Sequence, residues 1–208
     1  MIELIDYFIQ MGTTALCTIL SGVYMMRTGK RVWVYLMLGS GAYFLGDLYW
    51  FLYLLFYGET PQYSYVADFS WYTCYLILFM IILEIAADRG EWRSNRLLWL
   101  IMVFPAAMCI YYLQWGDFFG NFVTLILRGL VMWGALDGLI ATRLFPAEKR
   151  NRMYYIIAFL FCVTEYGTDT ASCFWMGDTI RNPYFWFDSL LAVLFLLLPP
   201  ALRKAVNE

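Results

Sequence analysis

Long apolar stretches alternate with short polar breaks along this chain. Seven apolar runs stand out: Ile5–Met26, Val32–Tyr57, Tyr65–Ala87, Leu97–Trp115, Phe118–Leu144, Met153–Trp175 and Tyr184–Leu202. A helix needs about 20 predominantly apolar residues to cross a bilayer core, and each run comes near that length. The pattern predicts one all-α domain over residues 1–208, a polytopic membrane bundle of seven transmembrane helices with no soluble domain. Glu3 and Asp6 flank the first run, no basic stretch precedes it and no small-residue cleavage site follows it. It therefore reads as a retained helix and not as a signal peptide. Composition strengthens the picture, since 62% of residues are hydrophobic, 21% aromatic and only 14% charged. A soluble globular domain carries about 25% charged residues.

The placement of basic residues predicts orientation, because Lys and Arg close to helix ends are retained on the cytoplasmic side. Arg27, Lys30 and Arg31 lie between the first two runs, and Arg89, Arg93 and Arg96 between the third and fourth. Arg143, Lys149, Arg150 and Arg152 lie between the fifth and sixth, while Arg203 and Lys204 follow the seventh. The opposite breaks hold Arg181 alone. The expectation is a multi-pass protein of the cell membrane with its N-terminus outside and its C-terminus inside. Rhodopsins and G-protein-coupled receptors share that topology, which carries no function by itself.

Counting removes several chemistries. All three lysines, Lys30, Lys149 and Lys204, sit at the cytoplasmic margin, which leaves none at mid-membrane to form a retinal Schiff base. The absence of histidine excludes His-ligated haem and the common zinc sites. The five cysteines, Cys17, Cys74, Cys109, Cys162 and Cys173, show no C-x-x-C spacing and fall inside the apolar runs. They read as small packing residues, with an outer-leaflet disulfide among Cys74, Cys109 and Cys173 as the alternative. No phosphate loop, nucleophile elbow or basic stripe occurs, so neither a cofactor, a metal nor a nucleic-acid partner is expected.

An internal repeat is visible in the acids. The second run and the start of the third read FLGDLYWFLY and YVADFSWYTCY, while the sixth and seventh contain EYGTDTASCFW and YFWFDSLLAV. Asp47 then corresponds to Asp169, and Asp68 to Asp188. With one helix between two triplets of like direction, the architecture expected is a 3+1+3 bundle of parallel repeats, helices 1–3 superposing on helices 5–7. Chance similarity between low-complexity helices is the alternative reading. Gly39, Gly41 and Gly46 on helix 2, and Gly129, Gly134 and Gly138 on helix 5, permit close helix approach, within one bundle or between copies.

The motif G-D-x-x-W-x-x-Y in helix 2 (Gly46, Asp47, Trp50, Tyr53), followed by Pro61 and the opening Ala67, Asp68, Trp71, Tyr72 of helix 3, resembles a known family. That family is the seven-helix membrane region found ahead of GGDEF diguanylate cyclase and histidine kinase domains in many bacteria. The resemblance implies a sensor. The chain ends soon after helix 7 without an output domain, so a stand-alone sensor would signal through a partner protein or a second copy.

Counted inward from the outer helix ends, Asp68, Asp169 and Asp188 lie in the outer third of the bundle, while Asp47, Glu165 and Arg128 lie nearer its middle. Glu165 and Asp169 are four residues apart and share a helix face, as do Tyr43, Asp47 and Trp50. A charge facing lipid costs at least about 2.5–3.5 kcal/mol, so these stripes are expected to face one another across the bundle interior. Arg128 is expected to pair with Asp47 or Glu165. One cation against Asp47, Glu165, Asp169 and Asp188 leaves a surplus of acid that must be protonated, hydrated or matched by a bound cation. Trp50, Trp71, Tyr72 and Tyr75 share faces with the acids and would wall the same space. The candidate ligand-binding set is therefore Asp47, Trp50, Asp68, Trp71, Tyr72, Tyr75, Arg128, Glu165, Asp169 and Asp188, facing outward and suited to a cationic or amphipathic small molecule. A purely structural polar clamp is the competing reading.

Three function classes fit: a sensor or receptor-like protein, a small-molecule transporter of 3+1+3 type, and an Asp-dependent intramembrane lipid hydrolase. The sensor reading ranks first on the motif resemblance, and the enzyme last. Twelve of the 14 basic residues, all but Arg128 and Arg181, belong to the expected cytoplasmic side. A C-terminal reporter fusion is accordingly expected to be active only in the cytoplasm; activity restricted to the outside would reverse the topology.

Overall fold

The computed structural model describes residues 2–59, 61, 65–86, 96–175 and 177–206, and among them every regular element is helical. The chain forms α1 (Ile2–Thr28), α2 (Arg31–Tyr57), α3 (Tyr65–Ala86), α4 (Val103–Tyr112), α5 (Phe118–Leu144), α6 (Arg152–Phe174) and α7 (Pro183–Ala205). Short 3₁₀ segments, Arg96–Met102 and Leu113–Trp115, extend α4 at both ends, and Pro146–Asn151 leads into α6. Each of the seven apolar runs thus contains a helix. Arg89, Arg93, Tyr63 and the Arg96 side chain lie outside the described residues.

Local chemistry sets several of these boundaries. Gly58 ends α2 in the left-handed region at φ 71°, its N–H donating to the Leu54 carbonyl at 2.9 Å. Asn182 accepts the Tyr184 N–H at 3.0 Å and Pro183 fills the first turn of α7, where a missing donor costs nothing. Asp117, at φ 48°, accepts the Gly120 N–H at 3.0 Å to start α5.

Five helices among the described residues are long and apolar enough to cross a membrane: Ile2–Thr28, Val66–Ala86, Leu97–Trp115, Phe118–Leu144 and Pro183–Ala205. The protein is therefore compatible with membrane insertion. The helices α2 and α6 have the length, at 27 and 23 residues, but not the hydropathy. Asp47 and a high content of Tyr, Trp and Gly dilute α2; Glu165, Asp169 and three threonines dilute α6.

Six helices pack as a closed ring in the order α1, α2, α3, α5, α6, α7, with α7 returning to α1; α4 lies outside the ring against α5. Glycines bring these neighbours close. A Cβ on Gly39 would meet Ile77 at 2.7 Å, and one on Gly46 would meet the Trp71 indole at 2.8 Å, so α2 and α3 touch backbone to side chain. Between α1 and α2 the Thr18 hydroxyl donates to Ser40 at 2.9 Å, and Ser40 donates to the Leu36 carbonyl at 2.7 Å. Hydroxyls satisfied in this way cost little in an apolar interface.

The two ends of the bundle differ. At the end carrying the basic connections, Lys30 Nζ donates to the Val206 carbonyl at 2.6 Å, and the Arg203 guanidinium lies 5.6 Å from the ring of Tyr24, which stacks on Trp33. At the same end Asn151 donates to the Ile85 carbonyl at 3.2 Å and to Glu148 at 3.0 Å, and the Tyr155 hydroxyl donates to Glu148 at 3.1 Å. Fully buried Trp33, Leu36, Leu78, Ile81, Ile157 and Leu198 fill the interior behind these contacts. At the opposite end the Glu3 N–H donates to Asp178 at 2.8 Å, which joins α1 to the α6–α7 connection. All five cysteines are unpaired, and Cys17, Cys74 and Cys162 are buried.

Helix approach is tight where Gly138 of α5 meets the Tyr155 ring: an added Cβ would stand 2.6 Å from three ring carbons. Gly138→Ala is expected to lower stability by about 1–3 kcal/mol through overpacking. Gly12→Ala, which meets open space, is expected to be neutral or slightly stabilising because alanine is the better helix former. Thermal unfolding in detergent distinguishes the two, and an equal response at both positions would refute the tight contact.

Candidate functional site

Buried polar side chains gather in the half of the bundle away from the basic connections. Arg128 stands about 15 Å along α5 from its first residue, at about 1.5 Å per residue, and is only 5% exposed. A permanent charge at that depth must be surrounded by acceptors. One terminal nitrogen of Arg128 donates to Asp169 of α6; the other donates to Glu165 at 3.2 Å and to the Tyr75 hydroxyl of α3 at 2.8 Å. Its guanidinium carbon also lies 4.9 Å from the ring centres of both Tyr75 and Tyr166, a cation–π geometry. The second oxygen of Glu165 accepts the Tyr43 hydroxyl of α2 at 2.9 Å. Four helices, α2, α3, α5 and α6, therefore meet at one ionic cluster.

Of the two partners expected for Arg128, Glu165 is the one it takes, and Asp169 one turn further along α6 joins it. The spacing of four residues on α6 makes this chelation of one guanidinium by two carboxylates possible. Asp47 has a different neighbour: its Oδ1 accepts the indole N–H of Trp71 at 3.2 Å, while Oδ2 is buried without a partner among the described residues.

A cavity of about 500 Å³ opens above the cluster. Asp47, Trp50, Trp71, Arg128, Glu165, Asp169 and Asp188 line it, bringing together seven of the ten residues singled out from the sequence. Tyr75 lies behind the wall as the hydroxyl that accepts from Arg128. Asp68 and Tyr72 do not line this cavity. Tyr72 is turned to α5, with its hydroxyl against Gly120 and Thr124, and Asp68 lies one turn before it in the half-buried start of α3. The ring centres of Trp50 and Trp71 are 5.9 Å apart and form one aromatic wall.

The first helix brings residues that were not among those candidates. Tyr7 and Gln10 line the cavity, and Gln10, 3% exposed, has neither amide atom hydrogen-bonded among the described residues. Asp6 of α1 stands beside Asp188 of α7, so two carboxyl groups meet on this side. A sequence signal for this face exists: Asp6, Gln10 and Thr14 recur every four residues and share one side of the helix, and all three are buried. Asp6 belongs to this stripe although it also stands at the edge of the first apolar run. Tyr184 and Asn182 complete the cavity from α7 and its lead-in, while Glu3, Gly177 and Asp178 line it near the helix ends. Aromatic walls, an unsatisfied acid and amide, and a guanidinium whose terminal nitrogens are held by carboxylates make this space suited to binding a small polar molecule.

Compared with protein-family models, with curated proteins and with solved structures, the chain matches none.

Removing the central cation leaves two carboxylates facing each other in a low-dielectric interior. Arg128→Met is expected to destabilise the protein by about 3–5 kcal/mol, and combining it with Glu165→Gln should restore part of the loss. Asp169→Asn should cost less, because the Asp169 side chain is 38% exposed and water replaces part of what it loses. Unfolding curves of these variants and the wild type in matched detergent test this order; an Arg128→Met protein as stable as wild type would remove the cluster from any role in holding the helices.

Proposed function

We propose that this chain is a seven-span, receptor-like protein of the cell membrane that captures a small molecule from the outer face and passes its occupancy to a partner protein or a second copy at the cytoplasmic end. The observation that carries the reading is the cavity with buried, unpartnered polar atoms in its wall. Asp47 Oδ2 and both amide atoms of Gln10 lie within or beside about 500 Å³ of space. Buried polar atoms without partners are rare in native proteins, and a ligand that satisfies them is a direct reason for their retention.

The neighbours of α2 and α6 support the full set of seven spans. Each packs between two helices that are apolar enough to cross, α2 between α1 and α3 and α6 between α5 and α7. The clustering of basic residues at one end supports an inside C-terminus by the positive-inside rule. The cavity then opens outward, and the packed interior around Trp33, Leu78 and Leu198 closes the path to the other side. A change in α1 or α7 on binding has a ready readout at the far end, where Lys30 holds the Val206 carbonyl and Arg203 lies over Tyr24.

A carrier of 3+1+3 type is the second reading, favoured by the ring of helices. Exchanging α1–α3 with α5–α7 maps the α3–α5 contact onto the α7–α1 contact and leaves α4 outside. It also maps Asp47 onto Asp169, both of which line the cavity, whereas Asp68 and Asp188 differ in that respect.

Thermal-shift screening of polar metabolites against the full chain in nanodiscs is expected to find compounds that stabilise the wild type, since ligand at 100 times Kd contributes about 2.7 kcal/mol. Trp71→Phe and Asp47→Asn should lose the effect. Uptake of a hit into sealed liposomes separates the readings: binding without flux supports the receptor, and flux supports the carrier. A screen in which no compound distinguishes wild type from both variants would defeat the ligand-site reading.

A further inference from the structure

The cavity has two chemically different sides. Toward α5 and α6 both terminal nitrogens of Arg128 donate to carboxylates and Glu165 takes the Tyr43 hydroxyl as well, while the Arg128 Nε is buried without a partner among the described residues. Among the described residues lining the cavity, Arg128 is the one basic side chain, and its two terminal nitrogens are engaged by Asp169, Glu165 and Tyr75. Toward α1, α2 and α7, the lining holds carboxyl groups and no basic side chain among the described residues. Asp47, 5% exposed, keeps Oδ2 unpartnered, and Gln10, 3% exposed, keeps its whole amide unpartnered. Asp188 adds a further carboxyl to the same side.

Resting on the ligand-site reading above, we propose that the cavity takes an organic ammonium ion, primary or secondary, whose N–H groups donate to Asp47 Oδ2 and Gln10 Oε1 and whose flat apolar body lies against Trp50 and Trp71. Charge decides the sign. An anion would meet Asp47, Asp188 and Glu165 with the guanidinium already engaged, whereas a cation offsets the excess of acid in a low-dielectric space. The orphan oxygens decide the donor: a quaternary ammonium has no hydrogen to give them, whereas a primary or secondary ammonium does. The indole walls decide the body, since aromatic faces attract both a cation and the ring or chain that carries it. A metal ion fits less well, because among the described residues no three acids or cysteines converge as a metal-binding group.

Isothermal titration of the full chain in lipid nanodiscs at neutral pH tests the assignment with three probes of one shape: 2-phenylethylammonium, 2-phenylethanol and 3-phenylpropionate. The ammonium is expected to bind and the other two are not, and Asp47→Asn should weaken the ammonium by at least about ten-fold. The asparagine side chain introduced by Asp47→Asn retains an oxygen to accept the Trp71 indole, so the variant is expected to keep its ligand-free unfolding temperature; Gln10→Leu provides a second variant with the same expected loss of binding. The alcohol or the carboxylate binding as tightly as the ammonium, or the ammonium binding both variants as tightly as wild type, overturns the cation assignment while leaving a ligand cavity in place. Binding of none of the three probes also overturns it, and the wider metabolite screen then decides separately whether the cavity is a ligand site.

Discussion

A guanidinium buried in an apolar helical bundle must find its acceptors within the protein, and the way Arg128 finds them joins four helices at one point. Asp169 and Glu165 come from α6, the Tyr75 hydroxyl from α3, and through Glu165 the cluster reaches Tyr43 of α2. Moving any of these helices by a turn would leave a charge or a carboxylate unsatisfied in a medium where that is costly. Apolar packing is non-directional and would tolerate several rotations of each helix. The ionic cluster is directional, so it selects among those rotations, and the aromatic residues around it follow: Tyr43 reaches Phe161 and Phe195 with ring centres 6.1 and 4.8 Å apart, and Tyr75 reaches Phe161 at 6.2 Å.

This arrangement divides the bundle into a polar half and a dry half. On one side of the cluster lies a cavity with carboxylates, an amide and indoles; on the other lie Leu36, Leu78, Ile81, Ile157 and Leu198, packed against one another. Polar groups paired across helices hold them together, as Arg128 does with Glu165 and Asp169 through its two terminal nitrogens. Gln10 differs, with neither amide atom partnered among the described residues, and Asp47 is intermediate: one oxygen ties α2 to Trp71 of α3 while the other is unpartnered. Asp169 is both half of an ion pair and 38% exposed toward the cavity.

Much of the helical layout was legible in the chain itself. Seven apolar runs became seven helices with boundaries displaced by a few residues, because length and hydropathy are local properties that do not depend on neighbours. The i, i+4 relation of Glu165 and Asp169 was legible for the same reason, as was the placement of basic residues at one end. Hydropathy read helix by helix was less complete: α2 and α6 fall short as spans because each carries acids and polar residues, whose environment is supplied by other helices.

What the sequence determined, then, is the set of rods, their polar stripes and the excess of acid over Arg128, all of which follow from composition and helical period. Which stripes meet was decided by the tertiary structure. Asp68 and Asp47 stand in similar aromatic motifs, yet of the two only Asp47 lines the cavity: the start of α3 turns Trp71 toward it, while Asp68 shares a face with Tyr72, which is turned to α5. Asp6 and Gln10 enter the site because α1 closes the ring against α7, a contact between the two ends of the chain that no local pattern encodes. Long-range packing also turned one expected partner of Arg128 into a hydrogen-bond acceptor for Trp71, since rotation about each helix axis answers to all neighbours at once.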